Sequence, residues 1–134
     1  MITNEAEAFK LLRKQITAFS FITDTDWEML LPFLELRQLR KNELFIAEGK
    51  RANEIGLVIT GMFRQYTKDG EEKTTYSFFE QHFISAYISC MTCKPSLVRI
   101  EALSDASYVS FSFTKMNEIL NSSMAWQKFG RLIA

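Results

Sequence analysis

Between Leu36 and Phe113 the apolar residues of this chain come in short runs broken by glycines and charged residues, a pattern that fits strands and excludes long helices. Ile55 to Thr60 is mostly apolar and β-branched, Gly61 breaks it, and Met62 to Thr67 alternates. Lys68-Asp69-Gly70-Glu71 then supplies a turn, because Asp-Gly suits the positive backbone dihedrals of a tight hairpin. Thr74, Thr75, Tyr76, Phe78 and Phe79 make the return strand. Leu36, Leu39, Leu44 and Ile46 occupy short segments ahead of this hairpin, punctuated by Gly49. Val98 to Leu103 and Tyr108 to Phe113 read as a second pair around Ser104-Asp105-Ala106. Short strands at this spacing indicate an antiparallel roll or sandwich rather than alternating βαβ units.

Helices flank the strands. Phe9, Leu12, Ile16 and Phe19 form one apolar stripe over residues 5–19, the spacing of an amphipathic helix. A second helix is expected from about Thr25, where Thr25 and Glu28 have capping-box spacing. Trp27, Leu30, Leu31 and Leu34 give it a buried face, and Pro32 is expected to kink or shorten it. At the other end Met116, Ile119 and Leu120 share one face of a short helix. Trp126, Phe129 and Ile133 mark a final one, candidates either for packing on the roll or for a dimerisation seam. The reading is one domain over residues 1–134. It has a helical N-terminus at about 3–34, a β-roll at about 35–113 and C-terminal helices at about 114–134.

The bulk composition narrows the function classes. Hydrophobic residues are 47% and charged residues 24% of the 134 positions, ordinary for a folded domain. Twelve phenylalanines supply a bulky core or the lining of an apolar pocket. Lys+Arg and Asp+Glu are both 16, for a formal charge of zero, so no basic nucleic-acid footprint is predicted. Any DNA contact is expected from a segment beyond Ala134. No window approaches the roughly 20 apolar residues of a membrane span, and the polar start lacks the layout of a signal peptide. The expected location is the cytoplasm, with no membrane partner.

Two cysteines, Cys90 and Cys93, form a single C-x-x-C. Four-ligand zinc needs two further Cys or His residues and the chain has one, His82. Pro95 follows too soon for the helix of a thioredoxin-like site. The pair reads as packing in a loop, with a thiol sensor as the alternative, and no metal site is expected. One histidine, no convincing carboxylate pair and no nucleophile motif leave nothing to run a reaction, so no enzyme is expected.

Several phrases occur in an order that carries a resemblance. Arg40-Lys41-Asn42-Glu43-Leu44 leads into Ala47-Glu48-Gly49, and Val58-Ile59-Thr60-Gly61-Met62-Phe63-Arg64 follows. Phe83-Ile84-Ser85 and Ile100-Glu101-Ala102-Leu103 complete the series. From about Asp24 to the last helix the chain resembles the sensor domain of the Crp/Fnr transcription regulators. The resemblance implies a mainly β fold with flanking helices, a double-stranded β-helix or jelly-roll-like β-roll of the cyclic-nucleotide-binding type. In that family a Phe-x-Gly-Glu phrase begins the phosphate site, with helix-start amides facing the anion. Its Glu holds a ribose hydroxyl, and an Arg-Ser or Arg-Thr pair ends the site with a charge-assisted fork.

Carried over residue by residue, Phe83 and Ile84 fit that pattern. Ser85 stands at the Gly position, Ala86 at the Glu, Ser96 at the Arg and Leu97 at its partner. Ala86 cannot bind a hydroxyl, and a buried phosphate without its cation is costly to desolvate. Cyclic AMP or cyclic GMP is therefore admitted by the resemblance and disfavoured by the residues. Arg99 is expected on the opposite strand face from Val98, Ile100 and Ala102, and Lys94 in a solvated loop. The candidate pocket comprises Phe83, Ile84, Ser85, Ala86, Tyr87, Ser89, Ser96 and Leu97. Its hydroxyls either donate to a neutral or weakly polar effector or merely cap turns. The expectation is a ligand-sensing regulatory domain with an unknown small-molecule effector, dimerising through the C-terminal helix. A ligand-free interaction scaffold and a Cys90/Cys93 redox sensor are the alternatives.

Overall fold

The computed structural model describes residues 4–19, 23–69 and 71–120. Trp126, Phe129 and Ile133 lie outside them, as does Gly70 of the expected turn. Helix α1 spans Glu5–Phe19. It buries Ala8, Leu12 and Ile16, four residues apart on one face. Asn4 Oδ1 accepts from Glu7 N at 2.9 Å and caps its start. Helix α2 covers Asp24–Leu30, and its capping box is Thr23 with Asp26, not Thr25 with Glu28. Trp27 N already donates to Thr23 O at 3.0 Å. The ladder therefore starts at Thr23, and Thr25 falls inside the first turn. Pro32 does shorten the helix: α2 stops at Leu30, and Leu31–Phe33 continues as a 3₁₀ turn.

Eight strands follow: β1 Glu35–Leu39, β2 Leu44–Ile46, β3 Glu54–Thr60, β4 Phe63–Asp69, β5 Glu71–Phe78, β6 Phe83–Ser85, β7 Arg99–Ala102 and β8 Ala106–Ser112. Helix α3, Tyr87–Thr92, lies between β6 and β7, and α4, Phe113–Leu120, follows β8. They make two four-stranded antiparallel sheets, ordered β1-β8-β3-β6 and β2-β7-β4-β5. The expected β4–β5 hairpin forms, with Asp69 opposite Glu71.

The second expected pair does not form. β7 pairs with β2 and β4, whereas β8 pairs with β1 and β3, so the chain crosses between sheets at Leu103–Asp105. The crossing is tied at several points. Leu103 N donates to Met62 O at 2.8 Å, Met62 N to Ser104 Oγ at 3.2 Å and Lys41 N to Asp105 Oδ1 at 3.0 Å. Gly61 sits at this corner with φ +88°, where an added Cβ would lie 2.7 Å from the Asp105 carbonyl. Positive φ and close backbone approach both require glycine there.

In the sheet β1-β8-β3-β6 the central strands β3 and β8 are buried on both faces. Ile55, Leu57, Ile59, Val109 and Phe111 point to the helices, packing with Ala8, Leu12, Ile16, Trp27, Leu30, Leu34 and Met116. Val58, Ile84, Ala106 and Tyr108 point into the roll, against Phe63, Phe78, Ile100 and Ala102 of the other sheet. This is why the run from Ile55 to Ile59 is continuously apolar: alternate residues serve two different cores. Burying each such side chain stabilises by about 1.5–3 kcal/mol relative to exposure.

Candidate functional site

The segment from Phe83 to Ala102 closes one side of the roll. Strand β6 pairs with β3, Ile84 opposite Gly56 and Phe83 opposite Leu57. Strand alternation then separates the two leading candidates. Ile84 faces the roll interior, and Phe83 packs on the helix-side core. Ser85 lies 3.9 Å from Cys90 Sγ. Ala86 is buried with Ala52 and Cys90 in a small apolar cluster, against which Ile46, Val98 and Phe113 pack. The Tyr87 ring meets the Phe113 ring edge-on at 5.6 Å, and burial pushes its hydroxyl above the usual tyrosine value.

The two buried serines of this segment, Ser89 and Ser96, are turned onto the chain itself. Ser89 Oγ accepts from Ala52 N at 2.9 Å and donates to Lys94 O at 2.5 Å. Ser96 Oγ donates to Val98 O at 2.8 Å and accepts from Val98 N at 3.2 Å. Its backbone is held as well, Gly49 N donating to Ser96 O at 2.9 Å and Ser96 N to Lys50 O at 2.8 Å. Arg51 and Pro95 add an isolated antiparallel bridge. Each of these hydrogen bonds satisfies a group that burial would otherwise leave costly. Leu97 points outward at 82% exposed, and on α3 Ile88 is 77% and Met91 60% exposed.

Aromatic side chains occupy the space between the sheets. Tyr108 meets Phe45 at 5.3 Å and Phe63 at 6.0 Å between ring centroids, both edge-to-face. Its ring crosses Gly56, where a Cβ would lie 2.7 Å from Tyr108 Cδ2. Its hydroxyl donates to Glu54 Oε2 at 3.3 Å. Ser110 Oγ also donates to that oxygen, and Arg37 Nε lies 3.6 Å away. Burial first, then the neighbouring Glu54 charge, raises the Tyr108 hydroxyl far above its ordinary value. Sequence reasoning missed this polar end of the roll. The available signal was phase: Glu54 precedes Gly56 and Val58 by steps of two, which sets its carboxylate on their inward face.

Arg99 stands where alternation placed it, on the outer face of the second sheet. Its Nη1 donates to Tyr66 OH at 3.3 Å, and its Nη2 pairs with Glu48 at 3.4 Å. Arg64 lies over the same Tyr66 ring at 4.1 Å and pairs with Glu101 at 2.9 Å. Lys94 is exposed. His82 is exposed in the turn before β6, its Nδ1 accepting from Phe79 N at 3.1 Å. Both cysteines are free. Cys90 is buried and burial pushes its thiol up, which favours the unreactive protonated form. Cys93 is exposed and closes α3 in a left-handed conformation, φ 59°.

The chain matches the cyclic nucleotide-binding domain family over residues 36–123, well over half its length. It belongs to that family. The sensor domain of the transcriptional regulator DNR from Pseudomonas aeruginosa superposes on this domain with a TM-score of 0.75 at 19% identity, covering 92% of this chain and 84% of that one. A cyclic nucleotide-binding domain from Methylobacillus flagellatus gives 0.75 at 13% identity, over 95% and 73%. The Catabolite Activator Protein of Thermus thermophilus gives 0.72 at 12% identity, over 89% of this chain and 56% of that one. The domain thus spans little more than half of that activator, and it shares with all three the β-roll fold. No curated protein matches the sequence significantly. Among the described residues no helix is long and apolar enough to cross a membrane.

Proposed function

We propose that this domain is the regulatory module of a Crp/Fnr-type transcription regulator whose input is not a cyclic nucleotide held by its phosphate. One observation carries the reading. At the positions where the family places Glu and Arg, this domain has Ala86 and Ser96, 6% and 3% exposed, and the Ser96 hydroxyl is spent on Val98. A phosphate entering there would lose its water and gain no cation. Arg99 offers no rescue from the outer sheet face, where Tyr66 and Glu48 engage it. Behind the segment Ile84, Ile100 and Tyr108 are packed in an apolar cluster, so an effector acting there would be a neutral or weakly polar small molecule rather than an anion. In this reading the output passes through the helices after β8 to a dimer seam at Trp126, Phe129 and Ile133, and DNA is read by a segment beyond residue 134.

A specific observation favours a second reading, a ligand-free scaffold: Phe45, Phe63 and Tyr108 already pack edge-to-face inside the roll. Titration calorimetry with cyclic AMP and cyclic GMP tests what the two readings share. No saturable heat is expected, and a submicromolar affinity for either nucleotide overturns both. A thermal-shift screen of uncharged metabolites then separates them, since a ligand that binds only the folded state raises the melting temperature.

A further inference from the structure

The amino terminus of α4 is capped partly from a distant part of the chain. Ser112 supplies the local cap, its Oγ accepting from Lys115 N at 3.2 Å. The two amides that Ser112 does not reach are taken by Asn53, which lies between β2 and β3. Phe113 N donates to Asn53 O at 2.9 Å, and Thr114 N donates to Asn53 Oδ1 at 3.0 Å. Thr114 Oγ1 donates to the same oxygen at 2.8 Å, and Asn53 Nδ2 donates back to Ser112 Oγ at 3.3 Å. A helix start carries unsatisfied donors, and whatever accepts from them fixes where the helix begins.

Asn53 is itself held by α3. Its neighbour Ala52 donates its amide to Ser89 Oγ at 2.9 Å, and the same oxygen donates to Lys94 O. Gly49, Lys50 and Arg51 are joined to Pro95 and Ser96. The loop 47–53 is therefore tied both to α3, at Ser89, and to the loop 94–97 that follows it. The Tyr87–Phe113 ring contact links α3 to the first residue of α4 directly.

We propose that Asn53 is a positioning residue that transmits the placement of α3 to the start of α4, through Ser89 and the Ala52 amide. The proposal rests on the reading of the Phe83–Ala102 segment as the responsive part of the domain, and it supplies that segment's route to the C-terminal helices. A shift of α3 has to move Ala52, and Asn53 cannot follow without withdrawing its acceptors from Phe113 and Thr114.

Hydrogen exchange on the 134-residue chain, with no nucleotide present, tests this separately from the calorimetry. Asn53→Ala is expected to speed exchange of the Asn117 to Leu120 amides about fivefold, the scale of a lost helix cap. Asn53→Asp, which keeps the acceptor, is expected to restore protection. Ser89→Ala decides the matter, because Ser89 does not bond to α4. Coupling requires faster exchange in α4 as well as at Ala52. By reciprocity Asn53→Ala must also loosen Ala52 and α3. Faster exchange confined to the mutated element in both variants overturns the proposal. Asn53 is exposed, so its variants leave the core intact and keep the reciprocal arm available if Ser89→Ala fails to fold.

Discussion

Strand β7 shows two different proteins on its two faces. Inward, Ile100 and Ala102 join an aromatic core. Outward, Arg99 and Glu101 join Arg64, Tyr66 and Glu48 in a charged layer. The guanidinium and carboxylate chemistry of a phosphate-and-ribose site is thus present within a few residues of Ser96, but on the far side of the sheet. A strand has period two, so a single step along the chain moves a side chain from interior to surface. What decides the chemistry of the roll is therefore phase rather than composition. Glu54 makes the converse case, in phase with the interior and held there by Tyr108 and Ser110.

The largest expected effect of this division falls on neighbours in β4. Phe63 is fully buried between the sheets and Arg64 is in the outer layer. Phe63→Ala is expected to cost about 3–5 kcal/mol, by lost transfer energy and a cavity. Arg64→Ala, one residue on, is expected to cost about 1 kcal/mol or less. Urea denaturation of the two variants checks this, and comparable losses would mean that the faces are not energetically distinct.

Much of the architecture was legible in the sequence, because hydrophobic period survives without tertiary information. The α1 stripe and the β3, β4 and β5 runs were set by it, and the break at Gly61 marked a corner. Strand partners were not legible in the same way. The run at Val98–Leu103 and the run at Tyr108–Phe113 look like a hairpin locally, yet β8 has two apolar faces and belongs between β1 and β3. At the site, the outward turn of Arg99 followed from alternation. Phe83 and Ile84 were read together although alternation sends them to different cores. The commitment of Ser89 to Ala52 and Lys94 spans up to 37 residues and has no local sequence signal.

A smaller effect sharpens the polar end of the interior. Tyr108 holds its proton more tightly in the folded domain than at its ordinary value of 10.0. Its contribution is therefore complete below that pH and declines as pH rises above it, where the unfolded chain ionises first. Tyr108→Phe removes a hydroxyl bonded to Glu54 and is expected to cost about 1 kcal/mol at neutral pH. The variant's unfolding free energy is expected to fall less steeply than the wild type's between pH 10 and 11. Parallel curves in that range would show that Tyr108 titrates as if exposed, and that the interior is open to water at its polar end.

The smallest effect bears on the outer layer. Arg64 and Glu101 face each other across β4 and β7 at 2.9 Å, partly shielded by the Tyr66 ring. A double-mutant cycle with Arg64→Met and Glu101→Gln is expected to give a coupling of about 0.5–1 kcal/mol, the range of partly solvated pairs. Salt should weaken it, because the screening length falls to about 3 Å at 1 M ionic strength. The loss in Phe63→Ala contains no charge pair and is expected to be unaffected by the same screening. If the Arg64–Glu101 coupling also survives 1 M salt, the charged layer is sealed from solvent as the interior is. Its two arginines and two carboxylates would then be a second core rather than a surface, and phase would sort residues between two interiors instead of between inside and outside.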